Sequence, residues 1–100
     1  MTEIIREDHG KVFVELEGKI YVEDAAFLRE KLLSYIAQGK KDFLITMSKV
    51  TYIDSSGLGV LVAIQKRVLE QGGEVKLQGL VGPVREIFSL TRLDRVFTIL

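Results

Sequence analysis

The stretch Asp54-Ser55-Ser56-Gly57-Leu58-Gly59 stands where an irregular segment becomes a helix. Aspartate and serine side chains cap a helix start by accepting a hydrogen bond from a backbone amide one turn on. The helix dipole favours negative charge at the same place, so a phosphate on Ser55 would be tolerated there. One cap residue suffices for one helix, and three in a row indicate a recognition surface; the alternative is that they only cap.

Two glycines occupy the first turn of this helix, although each costs up to about 1 kcal/mol relative to alanine in a helix. We interpret Gly57 and Gly59 as clearance for an approaching partner, with Leu58 between them partly exposed on the binding surface. The alternative is that the glycines let the helix pack closely on a sheet.

Apolar periodicity on both sides of the serines predicts the order ββαβαβαβ. A hairpin comes first, with Val12, Val14 and Leu16 on one face of its second strand. Ser48 to Ile53 has no clear pattern and is expected to be irregular. The predicted strands cover residues 4–5, 11–17, 43–47, 75–78 and 96–99, and the predicted helices cover 22–38, the serines to Gly72, and 83–90.

This order predicts a single α/β domain over residues 1–100, with about three to four helices. Its mixed sheet begins with an antiparallel pair and continues with parallel strands that right-handed helical crossovers join. The strand 43–47 is apolar almost throughout and is expected in the middle of the sheet, buried on both faces. Functional groups gather at the carboxyl ends of parallel strands, and the Asp54 loop leaves such an end.

The composition excludes several classes of protein. Fourteen basic residues balance fourteen acidic ones, so no charge excess favours direct binding of nucleic acid or of an anionic membrane. The absence of cysteine excludes disulfides and thiolate zinc sites. The longest apolar run, residues 58–64, is far shorter than the roughly 20 residues of a membrane span, and we expect a cytoplasmic protein.

Catalytic motifs are missing as well. Neither serine follows a glycine by two residues, as a hydrolase nucleophile would, and the only histidine, His9, lies in the predicted hairpin turn. The sequence contains no phosphate-binding loop or dinucleotide fingerprint, and the carboxylates lack metal-site spacing. We therefore expect that the protein is not an enzyme, that it has no catalytic residue, and that it binds no cofactor and no metal.

The segment from Tyr52 to Val60 resembles the STAS domains of bacterial anti-sigma factor antagonists, and the similarity extends over nearly the whole chain, including Leu16-Glu17-Gly18 and Gly82-Pro83-Val84. The resemblance implies that the unphosphorylated protein binds an anti-sigma factor, itself a serine kinase, and thereby frees a sigma factor. It also implies that phosphorylation of Ser55 ends this binding until a phosphatase resets it. The partner-binding residues it implies are Asp54, Ser56, Gly57 and Leu58.

One position departs from this family. Many relatives carry an acidic residue shortly after the glycine that follows the second strand, where this chain has Tyr21. We expect Tyr21 to lie near Ser55, which puts the kinase contact and nucleotide affinity in question.

The alternative to an anti-sigma factor antagonist is a STAS module of another assembly, either a stress-signalling complex or a transporter-associated subunit.

Overall fold

The computed structural model describes all 100 residues and confirms the predicted element order. One five-stranded sheet has the order β1-β2-β3-β4-β5; its first pair is antiparallel and the remaining pairs are parallel. The strands are β1 Thr2–Asp8, β2 Lys11–Ile20, β3 Asp42–Ile53, β4 Glu74–Gln78 and β5 Thr98–Ile99. The helices are α1 Val22–Ala37, α2 Ser55–Glu70 and α3 Gly82–Leu90, and a 3₁₀ turn, Leu93–Arg95, precedes β5.

The opening hairpin turns on His9 and Gly10, both with positive φ, 51° and 82°. Such angles match the two-residue turns that suit the twist of an antiparallel pair, and glycine adopts them without strain. Asp8 pairs with Lys11 across the turn, so His9 is a turn residue, as predicted.

The core lies on one face of the sheet. Alternate residues of the strands point into it, and the helices supply most of the rest. Leu44 and Thr46 on the other face of β3 are half-buried, so the expectation that this strand is buried on both faces is wrong. Side chains of neighbouring strands cover that face, as where the Gln78 Nε2 donates to the Thr46 Oγ1 at 2.8 Å. The buried strand residues include Val12, Val14, Leu16, Phe43, Ile45, Met47, Val75 and Leu77.

The central strand is longer than its sequence pattern predicts. Residues 48–53, expected to be irregular, continue β3 to Ile53 and pair with β2, which itself runs on to Ile20. Register shifts interrupt this pairing, one of them at Gly18, whose φ of 90° suits glycine. The shifts break the period-two alternation, so that only Val50 and Ile53 of these six residues are buried. Asp54 therefore follows the end of the strand directly.

The helices begin and end within two residues of their predicted bounds. Asp24 accepts a hydrogen bond from the Tyr21 amide at 2.9 Å at the start of α1, and Gly39, with φ 89°, follows its end. Pro83 lies in the first turn of α3, where its missing amide costs nothing. None of the helices is both long and apolar enough to cross a membrane.

Candidate functional site

The site lies where β2 and β3 end side by side. Ile20 pairs with Ile53, and the Asp54 amide donates to the Ile20 carbonyl at 3.2 Å. Since α1 and α2 both begin immediately after these strands, Tyr21 and Ser55 lie at the same edge of the sheet. The predicted proximity of the Tyr21 loop to the serines follows from this pairing.

Of the four backbone amides from the N-cap Asp54 to Gly57, two have partners and two remain open. The Asp54 amide binds the Ile20 carbonyl, and the Gly57 amide donates to the Asp54 Oδ1 at 3.0 Å. Helix geometry leaves the amides of Ser55 and Ser56 without an intrahelical acceptor. The helix thus begins with one capping carboxylate and two open amides.

The three polar residues take different places at this helix start. Asp54 is the N-cap and half-buried, Ser55 is exposed, and Ser56 is half-buried behind it. The Ser55 side chain is therefore the one that a second protein can reach most easily.

The residues after the serines face inward more than expected. The partial exposure expected for Leu58 is wrong: the residue is 9% exposed and belongs to the core. Gly57 is buried too, since a Cβ atom there would lie 2.6 Å from the Ile53 Cγ1 and 3.0 Å from the Ile20 Cγ2. Close packing of helix on sheet, the alternative reading, explains this glycine.

Gly59 differs from Gly57. A Cβ atom on Gly59 would meet nothing within 4 Å, and the residue is exposed. The lack of a side chain at Gly59 can therefore leave room for a partner, whereas at Gly57 it leaves room for the sheet.

An aromatic pair flanks the serines. The Tyr21 and Tyr52 rings lie 5.4 Å apart between centroids, and each residue is 45% exposed. Beside Tyr52, a hollow of about 160 Å³ separates the end of β3 from Pro83 and Ile87 of α3. Tyr52 could not be predicted as a surface residue, because residues 48–53 have no clear strand pattern. Beside the serines this chain therefore offers a neutral aromatic surface.

The hairpin histidine cannot act on Ser55. His9 lies before the first residue of β2, while Ser55 lies beside its last, and the ten residues of this strand span about 30 Å. The His9 side chain is 94% exposed, and its Nδ1 lies 2.6 Å from the Asp8 Oδ1. The geometry provides no general base for Ser55 from this residue.

Comparison with known proteins gives concordant matches. The model of the STAS domain family matches residues 3–100. The anti-sigma-B factor antagonist of Bacillus subtilis is 37% identical over 95% of this chain and 86% of its own length. A crystal structure of a Thermotoga maritima protein assigned as an anti-sigma factor antagonist is 26% identical, covers 97% of this chain and 84% of that one, and gives a TM-score of 0.90.

The anti-sigma factor antagonist SpoIIAA of Bacillus has the same fold in two states. Its unphosphorylated form is 17% identical, with a TM-score of 0.83 over 99% of this chain and 87% of that one. Its phosphorylated form is 18% identical, with a TM-score of 0.82 over 99% of this chain and 91% of that one.

Proposed function

The chain belongs to the STAS domain family, and we propose that it acts as an anti-sigma factor antagonist that phosphorylation of Ser55 switches off. The unphosphorylated protein binds an anti-sigma factor and releases a sigma factor. The anti-sigma factor is also the kinase that modifies Ser55, and a phosphatase restores the active form. In this cycle the protein is a substrate and a binding partner, acting without catalysis of its own in the cytoplasm. Similarity to the Bacillus subtilis antagonist over nearly the full chain supports this proposal.

The observation that carries the proposal is the exposed Ser55 at a capped helix start with two open amides. A kinase can reach this hydroxyl without unfolding the chain. The open amides and the helix dipole would then stabilise the phosphoryl group where it forms.

The switch follows from charge. Phosphorylation adds about −1.5 to −2 charges at pH 7 beside the half-buried Asp54. Burying these like charges in one interface is unfavourable, and a loss of about 4 kcal/mol already weakens binding a thousandfold. Release of the anti-sigma factor therefore requires no rearrangement of the fold.

The proposed contact surface comprises Asp54, Ser55, Ser56 and Gly59, with the Tyr21–Tyr52 pair at its margin. Gly57 and Leu58 contribute from beneath, because their packing on the sheet sets the position of the helix start. The similar match to both forms of SpoIIAA supports a switch that leaves the architecture in place.

The test is to incubate the protein with ATP and the anti-sigma factor of its source organism and to locate the phosphate by mass spectrometry. Binding of Ser55→Ala and Ser55→Asp to the same anti-sigma factor is then measured by calorimetry. We expect phosphate on Ser55, constitutive binding of the Ala variant, and binding of the Asp variant weakened about a hundredfold or more, some 3 kcal/mol. Ser34→Asp, an equal charge on an exposed serine of α1, is the matched control and should bind like the wild type.

Phosphate on another residue, or equal binding by Ser55→Asp and Ser34→Asp, would contradict the proposal. Recovery of transport components or of a stress-signalling complex in pull-downs, with no affinity for an anti-sigma factor, would favour the alternative assembly.

A further inference from the structure

A hollow of about 290 Å³ lies between α1 and α2, and its rim is basic. Arg29 comes from α1, Lys66 and Arg67 come from α2, and Glu70 is the only acid that lines it. The whole chain has no net charge, so this α1–α2 hollow is a local excess of positive charge.

The rim cations are not neutralised within the molecule. Four lysines elsewhere, Lys31, Lys40, Lys49 and Lys76, each have a carboxylate oxygen within 4.0 Å. The three rim cations form no such ion pair. Their side chains are therefore free for an anionic partner, which they would bind without breaking an existing pair.

The floor of the α1–α2 hollow is apolar. Leu33 and Ala63 are half-buried and supply the apolar surface that a partner can contact, and Ile64 is fully buried beneath them. An apolar floor under a cationic rim fits a segment that is apolar on one side and acidic on the other. An amphipathic helix binds a groove through its apolar face, and acidic side chains beside that face would meet the rim cations.

The phosphate on Ser55 is too distant to be the ligand of this hollow. Ala63 lies eight residues after Ser55, and Lys66 lies eleven residues after it. At the rise of an α-helix these separations are about 12 and 16 Å along the helix axis. Exposed charges are screened over about 8 Å at physiological ionic strength. The phosphate on Ser55 of the same chain therefore does not neutralise the rim, which is left open to an anionic group of another molecule.

The α1–α2 hollow and the serine end of α2 are reached along one face of the helix. Ser55, Gly59 and Ala63 follow one another at intervals of four residues and share one face of the helix, and Gly59 on this face is open. A partner seated on Ser55 and passing Gly59 reaches the hollow without obstruction from a side chain at position 59.

We infer that the α1–α2 hollow docks an acidic amphipathic segment of the anti-sigma factor, and this inference rests on the proposed function. The rim charges steer the partner and hold its acidic side chains, while Ser55 controls whether the complex persists. Because the two sites are separated by more than the screening length, the effects of changing each should multiply within about twofold.

The test compares two triple variants that lower the net charge equally. Arg29→Gln, Lys66→Gln and Arg67→Gln together neutralise the rim. Binding to the anti-sigma factor should weaken about tenfold at low salt, mostly through slower association, and should depend less on salt. The matched control replaces three exposed cations outside the hollow that also lack an ion pair, and it should bind within about twofold of the wild type. The control changes are Lys11→Gln, Lys41→Gln and Arg95→Gln.

Equal binding by both triple variants would overturn the inference, provided that thermal unfolding shows both to be folded. Ser55→Asp is measured alongside, so that failure of this inference can be told apart from failure of the proposed function. If Ser55→Asp loses binding and the rim variant does not, the phosphorylation switch at Ser55 is still supported. Binding of duplex DNA or of phosphatidylglycerol vesicles that only the rim variant loses would assign the hollow to another anion and also overturn the inference.

Discussion

The Asp54 Oδ1 accepts a hydrogen bond from the Gly57 amide at 3.0 Å, and this single contact caps the helix that presents Ser55. Asparagine can make the same bond without the charge, whereas alanine cannot. Asp54→Ala should lower the free energy of unfolding by about 0.5–2 kcal/mol, and Asp54→Asn should change it much less. Urea unfolding followed by circular dichroism measures both. An equal loss in the two variants would show that the charge and not the cap stabilises the helix.

The two glycines near the start of α2, Gly57 and Gly59, provide a matched pair. Gly57→Ala should destabilise the protein by about 1–3 kcal/mol, because the new Cβ would overlap the Ile53 side chain, 2.6 Å from its Cγ1. Gly59→Ala should stabilise it by up to about 1 kcal/mol, because its Cβ meets nothing and alanine favours the helix. Chemical denaturation of the two variants under one set of conditions gives both values. Equal effects would contradict the packing difference between positions 57 and 59.

Gly59 also tests the clearance interpretation through binding. Gly59→Leu points a bulky side chain into open space, so the free protein should keep the stability of Gly59→Ala within about 0.5 kcal/mol. Its affinity for the anti-sigma factor should fall about tenfold or more, since the added side chain occupies the path of the partner. Calorimetric titration of Gly59→Ala and Gly59→Leu measures the difference, and equal affinities would place the partner elsewhere.

Phosphorylation of Ser55 should leave the fold intact. The helix dipole stabilises added negative charge at the helix start by about 0.3–1 kcal/mol, and repulsion from Asp54 opposes this stabilisation. We therefore expect the free energy of unfolding to change by less than about 1 kcal/mol, equivalent to a few degrees in Tm for a domain of this size. Hydrogen exchange should show unchanged protection of α2 beyond its first turn. Broad loss of protection across α2 would mean that the switch acts by local unfolding.

The element order could be predicted because apolar residues repeat with the period of each element and because glycines, Pro83 and acidic residues mark the helix ends. The last residues of β2 and β3 could not be predicted to be strand. Polar Ser48 and Lys49 and the register shifts beside Gly18 disturb the alternation on which strand prediction depends. These extensions matter for function, since they bring Tyr52 beside Tyr21 and place Asp54 directly after the strand.

The cap at Asp54 and the start of α2 at Ser55 could be predicted, because capping is local chemistry. The burial of Gly57 and Leu58 depends on how α2 rotates against Ile20 and Ile53, which lie far apart in sequence and meet only through parallel pairing. The α1–α2 hollow likewise requires two helices to pack side by side, so Arg29 gives no sign in the sequence of its proximity to Lys66.

The structural role of Gln65 also depends on contacts between residues far apart in sequence. It occupies an apolar position of the helical pattern and is 3% exposed. Its Oε1 accepts from the Val75 amide at 2.7 Å and its Nε2 donates to the Val96 carbonyl at 2.8 Å, so it joins α2 to β4 and to the segment before β5. Gln65→Leu keeps the volume but leaves both backbone groups unpaired, and should lower the free energy of unfolding by about 2–4 kcal/mol. Gln71→Leu, at the exposed end of the same helix, should change it by less than about 0.5 kcal/mol. Thermal and urea unfolding of the two variants test this. If Gln65→Leu proves as stable as Gln71→Leu, apolar packing can replace the buried amide, and the two hydrogen bonds are not needed to hold β4 and the segment before β5 on α2.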